Sequence, residues 1–97
     1  MEYLMGLDVT DDEMYQKYRN EMFPILQKHG GGFGYDFKIA EVLKSEVEKP
    51  INRVFTIYFK DEKAKEDFFS NEEYLAIKKQ FFEKSVSSVT EIAQYKR

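Results

Sequence analysis

The chain has 97 residues, a formal net charge of −3 and no cysteine, and 16% of its residues are aromatic. The length predicts a single domain over residues 1–97, and the lack of cysteine excludes disulfides, thiolate metal sites and a cysteine nucleophile. With a single histidine as well, we expect no metal and no cofactor. The acidic balance argues against nucleic acid or a membrane as partner, and without a signal-peptide pattern we expect a cytoplasmic protein.

The first part of the chain predicts a strand followed by an amphipathic helix. Residues 3–9 alternate in the manner of a strand, and Thr10, Asp11 or Asp12 can cap the helix after it. Because Pro24 cannot donate to the carbonyl of residue 20, we expect a kink or two abutting helices. Apolar side chains recur at helical spacing opposite a polar side that includes Arg19: Tyr15, Tyr18, Met22, Ile25 and Leu26.

Three consecutive glycines follow this helix. Gly30 is suited to the left-handed conformation that ends a helix, and residues 33–39 then alternate as a second strand that extends to residue 43 or 44. Phosphate-binding loops place their glycines before a helix, whereas these glycines lead into a strand. The pattern therefore predicts a helix stop and a tight turn, not a phosphate site.

The second half predicts a loop over residues 45–52, a third strand over 53–59, two helical segments and a last strand over 89–95. Asp61 is placed to cap the first segment, and residues 70–73 match a capping box in which Glu73 reaches back to Ser70. Residues 85–88 are expected to turn the chain into the last strand.

The order β-α-β-β-α-β predicts an α+β, ferredoxin-like fold with a four-stranded antiparallel sheet and two helices on one face. The third strand carries bulky side chains on both faces, and two helices can cover only one of them. We therefore expect a homodimer in which the sheet faces of two copies pack together.

The segment of residues 32–37 imitates the aromatic-glycine signature of RNA-recognition motifs, which share this element order. It lies on the second strand instead of the third, Asp36 replaces an apolar residue, and Gly31 stands where a basic residue belongs. RNA binding is therefore a remote alternative.

The candidate site residues are few. His29, as the chain's only imidazole, is the candidate for proton transfer, although no orienting partner or nucleophile follows from the spacing, and a structural role is favoured. The candidate substrate-binding groups are Asp8, which we expect near Tyr58, and four others: Tyr18, Arg53, Tyr58 and Tyr74.

Several of these residues also carry a resemblance. Tyr15 and Tyr18, Pro24, His29-Gly30-Gly31, Arg53, Ala64, Ser70 and Tyr74 resemble, in the same order, the pattern of a domain-of-unknown-function family of small bacterial proteins. That family lies in the dimeric α/β-barrel superfamily, whose members include cofactor-independent monooxygenases, lactone isomerases and haem-degrading enzymes. The chain departs from the pattern at Lys44-Ser45 and at residues 78–81.

The resemblance implies ferredoxin-like protomers whose sheets pack face to face. We expect a small cleft, between the sheet and the helices or at the dimer seam, that binds or converts a small organic molecule without a cofactor. In a catalytic version, His29 carries the proton, Tyr18 and Tyr58 donate hydrogen bonds and Arg53 holds an anion. The alternative is a non-catalytic dimeric binding or assembly module.

Overall fold

The sheet contains all four strands of the chain. A computed structural model describes residues 1–97, with β1 at Glu2–Val9, β2 at Gly32–Lys38, β3 at Arg53–Tyr58 and β4 at Val86–Tyr95. The strand order is β2-β3-β1-β4, and every neighbouring pair is antiparallel. This is the order that two right-handed crossovers produce, so the predicted ferredoxin-like α+β fold is confirmed.

The helices cover one face of this sheet. They are α1 at Asp12–Lys28, α2 at Glu62–Ser70, α3 at Glu72–Ile77, a π-helical turn at Lys78–Phe82 and a final turn, α4, at Glu83–Ser85. None of them is long and apolar enough to cross a membrane. The core lies between helices and sheet and is rich in aromatic side chains: Tyr3, Leu7, Val9, Tyr15, Tyr18, Met22, Ile25, Leu26, Phe55, Ile57, Phe59, Phe68 and Tyr74.

Helix α1 is capped at both ends. The Asp11 side chain accepts a hydrogen bond from the Met14 amide, and at the other end Gly30 adopts a φ of 73°. The Gly30 and Gly31 amides donate to the carbonyls of Gln27 and Leu26, which is a Schellman motif. The predicted glycine stop is confirmed.

Helix α1 differs from two sequence-based expectations. It runs without interruption through Pro24, so the alternative of two abutting helices is wrong. Arg19 does not lie on an exposed polar side, because it is only 9% exposed. Its position in the helix falls between the buried residues Tyr15 and Met22, which places it on the inward face.

Strand β2 is shorter than predicted and irregular. It ends at Lys38, and residues 39–52 form a connection in which Asn52 binds both the amide and the carbonyl of Val9. The register with β3 shifts between Phe33, which pairs with Ile57, and Asp36, which pairs with Phe55. This bulge puts one extra residue into β2 and brings Asp36 to the helix-covered face.

Two local predictions in the second half also need correction. The cap of α3 is Asn71, whose side chain accepts from the Tyr74 amide, whereas the Ser70 hydroxyl donates to the Glu66 carbonyl inside α2. The predicted capping box is therefore wrong. Residues 85–88 do not form a turn, because β4 already begins at Val86. The Asp61 cap of α2 is confirmed.

Candidate ligand-binding site

A partly open cavity of about 170 Å³ lies between the helices and the sheet. Its walls are mainly aromatic and aliphatic, and the exposed side chains of Phe69 and Val89 stand at its mouth. An apolar cavity with a few polar groups is the usual form of a small-molecule site. The polar groups in its lining are Tyr3, Tyr15, Tyr18, Tyr74, Arg19, Lys65 and Glu91.

Tyr18 and Tyr74 form a hydroxyl pair in the cavity wall. Their oxygens lie 2.9 Å apart, and neither oxygen has another hydrogen-bond partner. Burial raises the pKa of both phenols, so both remain protonated. Because the pair holds two protons and uses one in its mutual bond, one hydroxyl proton is free to be donated.

Phe82 brings the π-helical turn into the same wall. Its ring centroid lies 4.9 Å from that of Tyr18 and 6.4 Å from that of Tyr15. A π-helical turn contains an extra residue relative to an α-helix, and such turns are frequent at functional sites. The irregular turn therefore supplies an aromatic side chain to the cavity.

A charged cluster adjoins the cavity at the β2–β3 side. The Asp36 carboxylate accepts two hydrogen bonds of 2.8 Å from Arg53 and one of 3.2 Å from Arg19. The Arg19 Nε donates to the Tyr15 hydroxyl at 2.8 Å. Partial burial opposes ionisation of Asp36, but the hydrogen bonds and charges of the two arginines still hold its pKa below the usual value.

Comparison with known families gives one match over nearly the whole chain. The model for a domain of unknown function, DUF1330, matches residues 3–94. The chain belongs to the DUF1330 family. No curated protein matches this chain.

Solved bacterial structures share the fold of this DUF1330 protein. Methylated RPA0582 has a TM-score of 0.80 at 14% identity, and the match covers 94% of this chain and 76% of RPA0582. RPA0582 of Rhodopseudomonas palustris, described as of unknown function, has a TM-score of 0.77 at 16% identity over 94% and 77%. Atu4242 of Agrobacterium tumefaciens has a TM-score of 0.60 at 15% identity over 93% and 88%.

Of the predicted site residues, the structure brings Tyr18 and Tyr74 together in the cavity wall. Arg53 lies next to the cavity wall, because its guanidinium carbon is 5.2 Å from the ring centroid of Tyr15, which lines the cavity. Arg53 does not itself line it and is occupied by Asp36.

Asp8 and Tyr58 lie apart, so the expectation that they are neighbours is wrong. The antiparallel register places Tyr58 opposite Glu2, at the far end of β1 from Asp8. Asp8 accepts hydrogen bonds from Ser87 and Asn52. The ring of Tyr58 is covered by Arg97, whose guanidinium carbon lies 3.6 Å from its centroid. Neither residue lines the cavity.

His29 lies at the C-terminal end of α1. Its Nδ1 is 2.8 Å from the carbonyl oxygen of Ile25, and its ring centroid is 6.0 Å from that of Phe68. It is not part of the cavity lining. No group of three or more histidine and carboxylate residues is placed to hold a metal ion.

The sequence reasoning overlooked Arg19 and Asp36 as site residues. Arg19 follows Tyr15 by four positions, so the two side chains share one helix face, and this spacing could have revealed the pair. Asp36 carries no such signal, because it reaches the helix side only through the bulge in β2.

Proposed function

We propose that this DUF1330 protein binds a small, largely apolar organic molecule in the cavity between its helices and sheet. The observation that carries the proposal is the Tyr18–Tyr74 pair, which provides a free hydroxyl donor in a largely apolar wall. A ligand with an apolar body and a hydrogen-bond acceptor satisfies both features.

The cavity limits the size of this ligand. Engineered apolar cavities of about 150 Å³ accommodate benzene, and the cavity here measures about 170 Å³. A single aromatic ring with one short substituent therefore fits. Acetophenone has this size and a carbonyl acceptor, whereas ethylbenzene has nearly the same shape and no acceptor.

A tryptophan reporter tests the proposal directly, because the chain contains no tryptophan. Phe69→Trp places the fluorophore at the mouth, and Leu75→Trp places it on an exposed part of α3 that does not line the cavity. Acetophenone should change the emission of the first variant saturably and leave the second unchanged. A flat titration of both variants, with no binding of acetophenone or ethylbenzene by calorimetry, would contradict the proposal.

Catalysis is a separate proposal. In it, His29 carries the proton for a substrate bound at the C-terminal end of α1, outside the cavity, and His29→Ala abolishes turnover while the fold is retained. Because His29 lies outside the cavity lining, the same variant should bind acetophenone as the unmodified protein does. Unchanged turnover in His29→Ala, once a substrate is known, would remove that role.

We also propose that the protein is a cytoplasmic homodimer with packed sheet faces. The family resemblance implies the dimer. The support is the set of apolar side chains on β2 and in the following connection. Tyr35 is 65% exposed and Phe37 52% exposed, with their rings stacked 5.9 Å apart, and Leu43 is 88% exposed. This surface equally suits the alternative of a non-catalytic dimeric module.

A further inference from the structure

Arg19 has an unused hydrogen-bond donor in the interior of the protein. Its side chain is 10% exposed, Nε donates to Tyr15, and Nη1 donates to Asp36. Nη2 is buried and has no partner. A buried donor on a charged group loses its water without compensation, which costs more than the loss of a neutral donor.

The aromatic surroundings of Arg19 do not replace this partner. Its guanidinium carbon lies 4.0 Å from the ring centroid of Phe33 and 4.8 Å from that of Phe55. Ring faces stabilise the positive charge, but they are weak hydrogen-bond acceptors. The donor capacity of Nη2 therefore stays available.

The cluster around Arg19 also carries an unbalanced charge. Arg19 and Arg53 share the single carboxylate of Asp36, which leaves one positive charge. The nearby carboxylate of Asp12 is paired with Lys38. An excess positive charge beside a cavity with apolar walls favours an anion there, because the low local dielectric strengthens the attraction.

A second donor lies next to Nη2. The Tyr15 hydroxyl accepts from Nε of the same guanidinium group, so it is close to Nη2, and its own proton has no acceptor in the protein. Burial raises the pKa of Tyr15 although Arg19 and Arg53 oppose this, so the phenol stays protonated. Arg19 and Tyr15 both line the cavity. A carboxylate has two oxygens and can accept from both groups.

We infer that the ligand of the cavity is a small apolar monocarboxylate whose carboxylate binds Nη2 of Arg19 and the Tyr15 hydroxyl. This inference rests on the proposed binding function and names the chemical class of its ligand. Benzoate is a suitable probe, because it has one ring and one carboxylate. Benzamide is its neutral counterpart of nearly the same shape, with one carbonyl acceptor in place of two carboxylate oxygens.

Calorimetric titration of the unmodified protein tests the inference without any variant. Benzoate should bind about ten-fold or more tightly than benzamide, as expected for a charged hydrogen bond. If acetophenone binds while benzoate binds no better than benzamide, the carboxylate inference is wrong and the binding function stands. If none of the three compounds binds, both proposals are wrong.

Variants then locate the carboxylate. Arg19→Met and Tyr15→Phe should each weaken benzoate binding at least five-fold and change acetophenone binding little. Lys65→Gln is the matched control, because Lys65 is the other cation of the lining and its amine donates to Tyr3. The assignment to Arg19 would be overturned if Lys65→Gln bound benzoate no better than benzamide while Tyr15→Phe still preferred benzoate. Since Tyr15→Phe keeps the arginine and removes only a hydroxyl, it serves if Arg19→Met fails to fold.

Discussion

The hydroxyl oxygens of Tyr18 and Tyr74 lie 2.9 Å apart across the interface of α1 and α3. They are 56 residues apart in the chain, so only the packing of the two helices against each other brings them together. Burial raises the pKa of both groups, and each therefore acts as a neutral donor and acceptor at ordinary pH. The binding proposal depends on the one proton that this pair does not use.

The effects of removing the two hydroxyls, on stability and on ligand preference, should not be additive. Tyr18→Phe or Tyr74→Phe alone breaks the mutual bond and should lower the free energy of unfolding by about 1 kcal/mol. Each single variant keeps one hydroxyl, so the preference for acetophenone over ethylbenzene should persist. The double variant should lose this preference. Calorimetry and urea unfolding of all four proteins provide the measurement. If the double variant still prefers acetophenone over ethylbenzene as the unmodified protein does, the pair is not the donor.

Blocking the mouth should abolish binding without weakening the fold. Val89 lies on β4 at the cavity mouth and is 40% exposed, so Val89→Trp has solvent-facing room for its ring. We expect acetophenone affinity to fall at least ten-fold while the melting temperature changes little. Leu75→Trp is the control, because it adds a tryptophan at an exposed site away from the cavity. Equal affinities in the two variants would place the binding site elsewhere.

The charged cluster should make stability depend on pH through Asp36. The folded-state pKa of Asp36 is lowered, so its contribution is present above the pKa of an unfolded aspartate, about 4, and is lost as pH falls through the folded-state value. Asp36→Asn should cost about 1 kcal/mol at pH 7, because solvent screens the partly exposed ion pairs of Asp36. Its difference from the unmodified protein should shrink below about pH 4.

Asp67→Asn serves as the control for that measurement. Asp67 forms an exposed pair with Lys63 within α2, and such pairs contribute little. Urea unfolding from pH 7 to pH 3 should show nearly unchanged stability for Asp67→Asn. A stability difference between Asp36→Asn and the unmodified protein that stays constant across this range would argue against an ionised Asp36 as the source of the stabilisation.

The proposed dimer should depend on the exposed face of β2. Phe37→Lys places a charge on that face and should yield a monomer, whereas the unmodified chain should scatter light as a species of twice the chain mass. Phe23 is 38% exposed on α1, away from this face, so Phe23→Lys should stay dimeric. A monomeric unmodified protein would remove the dimer from both functional alternatives.

Much of the fold could be predicted because it depends on local patterns. The alternation in β1, the helical spacing of Tyr15, Tyr18 and Met22, and the glycine stop at Gly30 each act over a few residues. Their order then leaves few possible topologies. The capping box failed for a local reason as well, because Asn71 competes with Ser70 for the same role and binds the Tyr74 amide.

The site could be predicted only in part, because its geometry depends on contacts between distant segments. Tyr18 and Tyr74 were recognisable as semi-polar residues on inward helix faces. Asp36 was not, because the bulge that turns it toward Arg19 arises from pairing with β3. The sheet register also decides that Asp8 and Tyr58 lie at opposite ends of β1. Neither register nor bulge follows from single-strand periodicity.

A crystal structure with acetophenone would show whether the cavity is the binding site. We predict that its ring lies among the aromatic side chains of the cavity, with the carbonyl oxygen at hydrogen-bond distance from the Tyr18 or Tyr74 hydroxyl. An empty cavity at a saturating concentration of acetophenone, or acetophenone bound only at another surface, would rule out the proposed binding site.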